Sequence, residues 1–139
     1  MTLIALGKFW GIVCFILSIA CFIRFIVNRF YHSFIRGLSK RRNRKLIDVS
    51  TKVMKGINKN HTLLGAGALI SLVIHINIMY KIIGFKFSGF LAALALLFTI
   101  AVGIINRFMY KDKSGKFTQY HVIASIVVLI LIILHVNLV

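Results

Sequence analysis

The sequence predicts an all-α membrane protein, a four-transmembrane-helix bundle made of two repeated hairpins. Three observations predict it. The 139 residues are 60% hydrophobic with a mean hydropathy of +0.94, more apolar surface than a soluble domain this small can cover. The apolar residues fall into four runs, each with roughly the 20 residues needed to cross hydrocarbon. The basic residues collect on one side of those runs, as the positive-inside rule describes.

The first run, about Phe9 to Val27, is expected to continue helically into Asn28–Arg36. Trp10 marks one membrane interface, and Arg24 with Arg29 the other. Those arginines, and the lack of a small-residue cleavage site, argue against a cleaved signal segment. Cys14 and Cys21 lie seven residues apart on one helix face. Their separation of about 10 Å is too long for a disulfide, which leaves them as packing residues.

The second run is about Thr62 to Lys81, the third about Gly89 to Tyr110 and the fourth about Phe117 to Val139. Between the first two, Leu46, Val49, Val53 and Ile57 recur at helical intervals with Ile47 and Met54 beside them. This pattern predicts an amphipathic helix at about 42–58 lying in the cytoplasmic interface. The alternative is a basic connector that only enforces topology.

Counting charges sets the orientation. Asn28–Asn60 carries ten Lys or Arg against one Asp, and Asn106–Phe117 carries four against Asp112. With Arg24, 15 of the 18 basic residues fall on one side, and only Lys8, Lys81 and Lys86 on the other. Both basic loops are therefore expected in the cytoplasm and both termini outside, in a multi-pass membrane protein. The formal charge of +16 follows these loops, so nucleic acid is not an expected partner.

The chain repeats itself. "LVIHINIM" at 72–79 matches "IILHVNLV" at 132–139, an offset of 60 that aligns His75 with His135 and Asn77 with Asn137. "VNRFY" ends the first helix and "INRFMY" the third, pairing Asn28 with Asn106 and Arg29 with Arg107. Two like hairpins related by an axis along the membrane normal would set the second and fourth helices opposite one another.

Those two helices carry four of the five histidines. His61 and His75, and His121 and His135, are each 14 residues apart, about 21 Å along a helix. Fourteen residues fall 40° short of four full turns, so both histidines of a helix face the same way. Imidazoles are costly in hydrocarbon and uncommon there without a function. Paired at two depths, His61 with His121 and His75 with His135 suit two stacked, non-covalent b haems with bis-histidine, low-spin iron. No C-x-x-C-H occurs for covalent attachment.

Gly65, one turn after His61, and Ser125, one turn after His121, would let a porphyrin approach the backbone, with Ala66, Gly67, Ala68 and Ala124 nearby. Ordinary small-residue helix packing is the alternative. Ser71 and Asn77 could bond an imidazole or a haem edge, although Asn77 and Asn137 are expected to point elsewhere. Arg24, Arg29, Lys59 and Arg107 are the inner candidates for haem propionates, and Lys81 and Lys86 the outer ones. Tyr110 and Tyr120 read equally as interfacial aromatics. His32 has no repeat-matched partner and is expected to pack at the interface.

The H-x13-H spacing on two helices, and the His-x-x-x-Gly start of "NHTLLGAGALISLVIHI", resemble the membrane dihaem b cytochromes. The chain is similar to bacterial cytochrome b561 proteins, ferric-reductase-like membrane domains and the cytochrome b subunits of hydrogenases and quinol oxidoreductases. The resemblance covers the four-helix core of one domain, 1–139, and not its basic loop.

It implies transmembrane electron transfer from a quinol or cytosolic donor to an extracytoplasmic acceptor. It also admits an oxidoreductase acting on quinone, ferric iron or superoxide, in either direction. No Gly-rich nucleotide fingerprint is present for a nicotinamide or flavin module. The alternative is therefore a haem-bearing anchor subunit of a larger oxidoreductase. A small metal transporter fits less well, because it wants ligands at one depth with membrane carboxylates, and the chain has no glutamate. Expected partners are membrane lipid, with quinone, a soluble or membrane redox protein and a second copy of the chain as candidates.

Overall fold

The computed structural model describes residues 2–35, 37–38, 40–108 and 116–138. Tyr110, Asp112, Val139 and most of the second basic loop lie outside the described residues. Four helices make up the fold: α1 (Leu3–Phe30), α2 (Lys40–Ile83), α3 (Phe87–Phe108) and α4 (Lys116–Leu138). Each contains a stretch long and apolar enough to cross a membrane. Large apolar side chains point outward, as Leu63 (73% exposed) and Phe98 (63%) do, the reverse of a water-soluble domain.

Local chemistry fixes the helix ends. Thr2 caps α1, its hydroxyl accepting from the Ala5 N–H at 3.3 Å. At its other end α1 widens into a π-helical turn over Tyr31–Ile35, with Ile35 buried. α2 closes on Gly84, whose φ of +81° is the left-handed conformation that ends helices, with its N–H bonded to the Tyr80 carbonyl at 3.1 Å. Only residues 84–86 separate α2 from α3.

The first basic segment is not a loop carrying a separate helix. Residues 44–58 are helical, as their periodicity predicts, but past a kink at Asn43 they run straight into the second apolar run, so that 44–83 is one unbroken helix about 60 Å long. The reason is the absence of a helix breaker. Proline is missing from the chain, Gly56 is tolerated in a helix interior, and the one departure from helical geometry is at Asn43 (φ −120°, ψ 27°). α1 and α2 therefore form a hairpin that extends well past the bilayer thickness.

Cross-links hold the two arms of that hairpin. Tyr31 Oη and Thr51 Oγ1 share a hydrogen bond of 3.2 Å. Arg24 Nε donates to Asn58 Oδ1 at 2.7 Å, and Asn28 Nδ2 donates to the same oxygen at 3.3 Å. Ile47, Met54 and Ile57 are half-buried, whereas Leu46, Val49 and Val53 stay exposed.

α1 packs along the length of α2, and α3 along α4. The hairpins meet more sparsely through α1 with α4 and α2 with α3, and no Cα of α2 comes within 8 Å of one of α4. The two histidine helices are thus diagonal, as the repeat requires, with a gap between their backbones. Cys14, Leu96 and Val128 form a small core at mid-height, with Leu72, Ala95, Ile100 and Ile132 around it.

Candidate functional site: two layers of paired histidines

Diagonal placement makes the four repeat-matched histidines face one another across the gap. The rings of His61 and His121 have centroids 6.0 Å apart and planes at 83°. Those of His75 and His135 are 6.5 Å apart at 79°. Midway between the layers sit Ala68 and Val128, each 2% exposed and related by the same 60-residue offset.

Each hairpin positions its own histidines through its other helix. His75 Nδ1 lies 2.8 Å from the Gly7 carbonyl of α1, and His121 Nδ1 lies 3.0 Å from the Thr99 carbonyl of α3. A ring nitrogen beside a carbonyl must donate, so Nδ1 carries the proton and Nε2 keeps its lone pair. His135 Nδ1 meets Ser88 Oγ at 3.0 Å. His61 Nδ1 is buried with no partner.

Glycines seat three of the rings. A Cβ added to Gly11 would stand 2.9 Å from His75 Cε1. One at Gly89 would be 2.9 Å from His135 Cε1, and one at Gly103 2.9 Å from His121 Cε1. Sequence reasoning looked for small residues on the histidine helices and missed these on the partner helices. The signal was present: Gly11 and Gly89 differ by 78, as Asn28 and Asn106 do, and Gly89 and Gly103 differ by 14, like the histidines.

The other candidates divide. Gly65 faces open space, with nothing within 4 Å of an added Cβ, whereas Gly67 packs on Leu17 of α1. Ser125 donates to the His121 carbonyl at 2.7 Å and Ser71 to the Gly67 carbonyl at 2.8 Å, so both hydroxyls are spent on their own helices. Asn77 and Asn137 likewise bond back to Val73 and Ile133, on exposed faces away from the rings. His32 is exposed, its ring edge-on to Tyr31.

Among the basic candidates, Arg24 lies within electrostatic reach of His61, His121 and Arg107. Arg107 Nη1 donates to Thr62 Oγ1 at 2.6 Å. Two guanidiniums thus flank the inner pair. The one ion pair among the described residues, Arg44 with Asp48 at 4.0 Å, lies elsewhere on exposed helix. Arg29, Lys59, Lys81 and Lys86 are exposed and touch neither pair. Tyr120 and Ala124 line an open apolar groove of about 300 Å³ with Ala95, Phe98, Ile123 and Val127.

Among the described residues, no cluster of three or more His, Cys, Asp or Glu could hold a metal ion, so each layer offers two nitrogens and no more. No protein-family model, curated protein or solved structure matches the chain.

Proposed function

We propose that the chain is a membrane cytochrome that holds two b haems, one between His61 and His121 and one between His75 and His135, and passes electrons through the bilayer. The observation carrying this reading is the pair geometry. Two imidazoles on opposite sides of one metal, each bonded at about 2 Å, have centroids roughly 6.3 Å apart. The two layers stand at 6.0 and 6.5 Å.

The donor set favours haem over a bare ion. A zinc site wants four protein ligands or three with water, and each layer has two. A porphyrin would bring its own nitrogens to the iron, so that each layer would need to supply only its two histidines. Carbonyls beside Nδ1 of His75 and His121 leave Nε2 as the coordinating atom, the usual outer-sphere arrangement of a metal-bound histidine, and Ser88 Oγ would accept from Nδ1 of His135 in the same arrangement. Arg24 and Arg107 supply the charge that inner propionates need. A haem ligated on both faces supplies a one-electron couple with no open position. The basic hairpin end is cytoplasmic in this reading.

A quantitative haem assay with oxidised and dithionite-reduced spectra on detergent-purified protein tests it. About two haems b per chain with six-coordinate bands is the expected result, and no haem after supplemented expression sinks the proposal. Gly65→Ala adds a sharper check. The new methyl meets no protein atom, so helix propensity alone would stabilise α2 by about 1 kcal/mol. Haem content of the inner layer is expected to fall nonetheless, measured by pyridine haemochrome, because the open flank of Gly65 is where a porphyrin would lie.

The protruding basic hairpin favours a second role within the same chemistry, a haem-bearing subunit of a larger oxidoreductase. Its exposed Leu46, Val49 and Val53, set among lysines, offer a surface for a soluble redox partner. Co-purification of a flavin or nicotinamide enzyme that dissociates on Val49→Asp separates this from a protein acting alone.

A further inference from the structure

We infer that the two layers are unequal and that His61 is an exchangeable ligand: the inner haem can release it and open one position to a small neutral molecule, whereas the outer haem stays closed. This rests on the two-haem reading above. Three of the four histidines share one device. A helical side chain covers the turn N-terminal to its own Cα, so a glycine uncovers the carbonyl four residues earlier.

Gly11 uncovers the Gly7 carbonyl for His75, and Gly103 uncovers the Thr99 carbonyl for His121. Gly89 seats His135 in the same way, but residue 85, four earlier, precedes α3, and Ser88 Oγ takes the place of the carbonyl.

The pattern continued to His61 calls for glycine at position 25, which is both 14 beyond Gly11 and 78 before Gly103. The acceptor would be the carbonyl of Cys21, the counterpart of Thr99. Cys21 is in place: its Sγ donates to the His61 carbonyl at 3.8 Å. Position 25, however, is Phe25, an exposed side chain whose ring lies 5.8 Å from that of Phe22, and a Cβ there, unlike glycine, covers the turn that carries the Cys21 carbonyl. His61 Nδ1 is buried and has no partner among the described residues. Its ring has neither the glycine seat of the other three nor the carbonyl-fixed tautomer of His75 and His121, and such a hydrogen bond is typically worth about 10–100-fold in metal affinity.

Carbon monoxide titrated into the dithionite-reduced, two-haem protein is the test. CO is expected to take one haem of the two. Phe25→Gly, which uncovers the Cys21 carbonyl, is expected to weaken that binding roughly 10–100-fold while both haems remain. CO binding to neither haem, to both alike, or undiminished in Phe25→Gly overturns the inference and leaves the two-haem reading standing; protein without haem overturns both.

A second pair of variants decides the matter if Phe25→Gly does not fold. His61→Ala is expected to keep the inner haem as a five-coordinate species on His121, and His121→Ala to lose it. Equal retention or equal loss in the two variants overturns the inference.

Discussion

His75→Ala is expected to halve the haem bound per chain, from about two to about one, with the remaining haem still six-coordinate and low-spin. In the two-haem reading His75 would supply one of the two ligands of its layer, and its ring is held between the Gly11 seat and the Gly7 carbonyl. Alanine removes the ligand and empties the seat, leaving His135 alone. The inner pair has its own helix contacts, His121 on the Thr99 carbonyl among them, and lies about four helical turns away. Haemochrome quantitation with reduced spectra reads the result. His32→Ala serves as the control and is expected to leave both haems, because His32 is exposed and far from either pair. Loss of both haems in His75→Ala would mean that the bundle assembles only around its cofactors, binding and folding being one equilibrium. An unchanged content would remove His75 from the ligand set.

The sequence made the histidine quartet legible because both periodicities that define it are local. A 14-residue spacing repeats the helix face, and a 60-residue offset repeats the hairpin. What it left obscure depends on how one helix registers against another. Gly11, Gly89 and Gly103 matter through the rings they face on the next helix, and no pattern within α1 or α3 states which residue of α2 or α4 lies opposite. Ser71 and Ser125 look like ligand partners by position alone. In the fold, the carbonyl one turn back is nearer than any ring, and both hydroxyls take it.

The amphipathic stretch at 46–57 shows a different gap. Periodicity identifies helix but does not say where a helix ends. Without a proline, and with Asn58 bonded to Arg24 and Asn28 of α1 instead of turning the backbone, α2 continues, and an expected interfacial element becomes one arm of a long hairpin. The basic charge that sets topology is thereby carried on rigid helix.

Gly103→Val is expected to abolish haem binding in the inner layer without touching any group that would contact the cofactor. A Cβ at residue 103 stands 2.9 Å from His121 Cε1 and 3.2 Å from its Nδ1, closer than side chains pack. Valine's branched methyls then cover the turn N-terminal to residue 103, which carries the Thr99 carbonyl that holds Nδ1. The ring must move and loses its acceptor at once. Loss of the hydrogen bond alone costs about 10–100-fold in metal affinity, and displacement of the ligand adds to it. His61, whose own Nδ1 is unpartnered, has no anchoring with which to compensate. Chains carrying Gly103→Val should therefore bind one haem, in the outer layer, with Gly56→Ala as a control because an added Cβ there meets nothing within 4 Å. A normal two-haem spectrum from Gly103→Val would show that the seat on α3 does not set the ring, and with it the glycine pattern would lose its role in ligation.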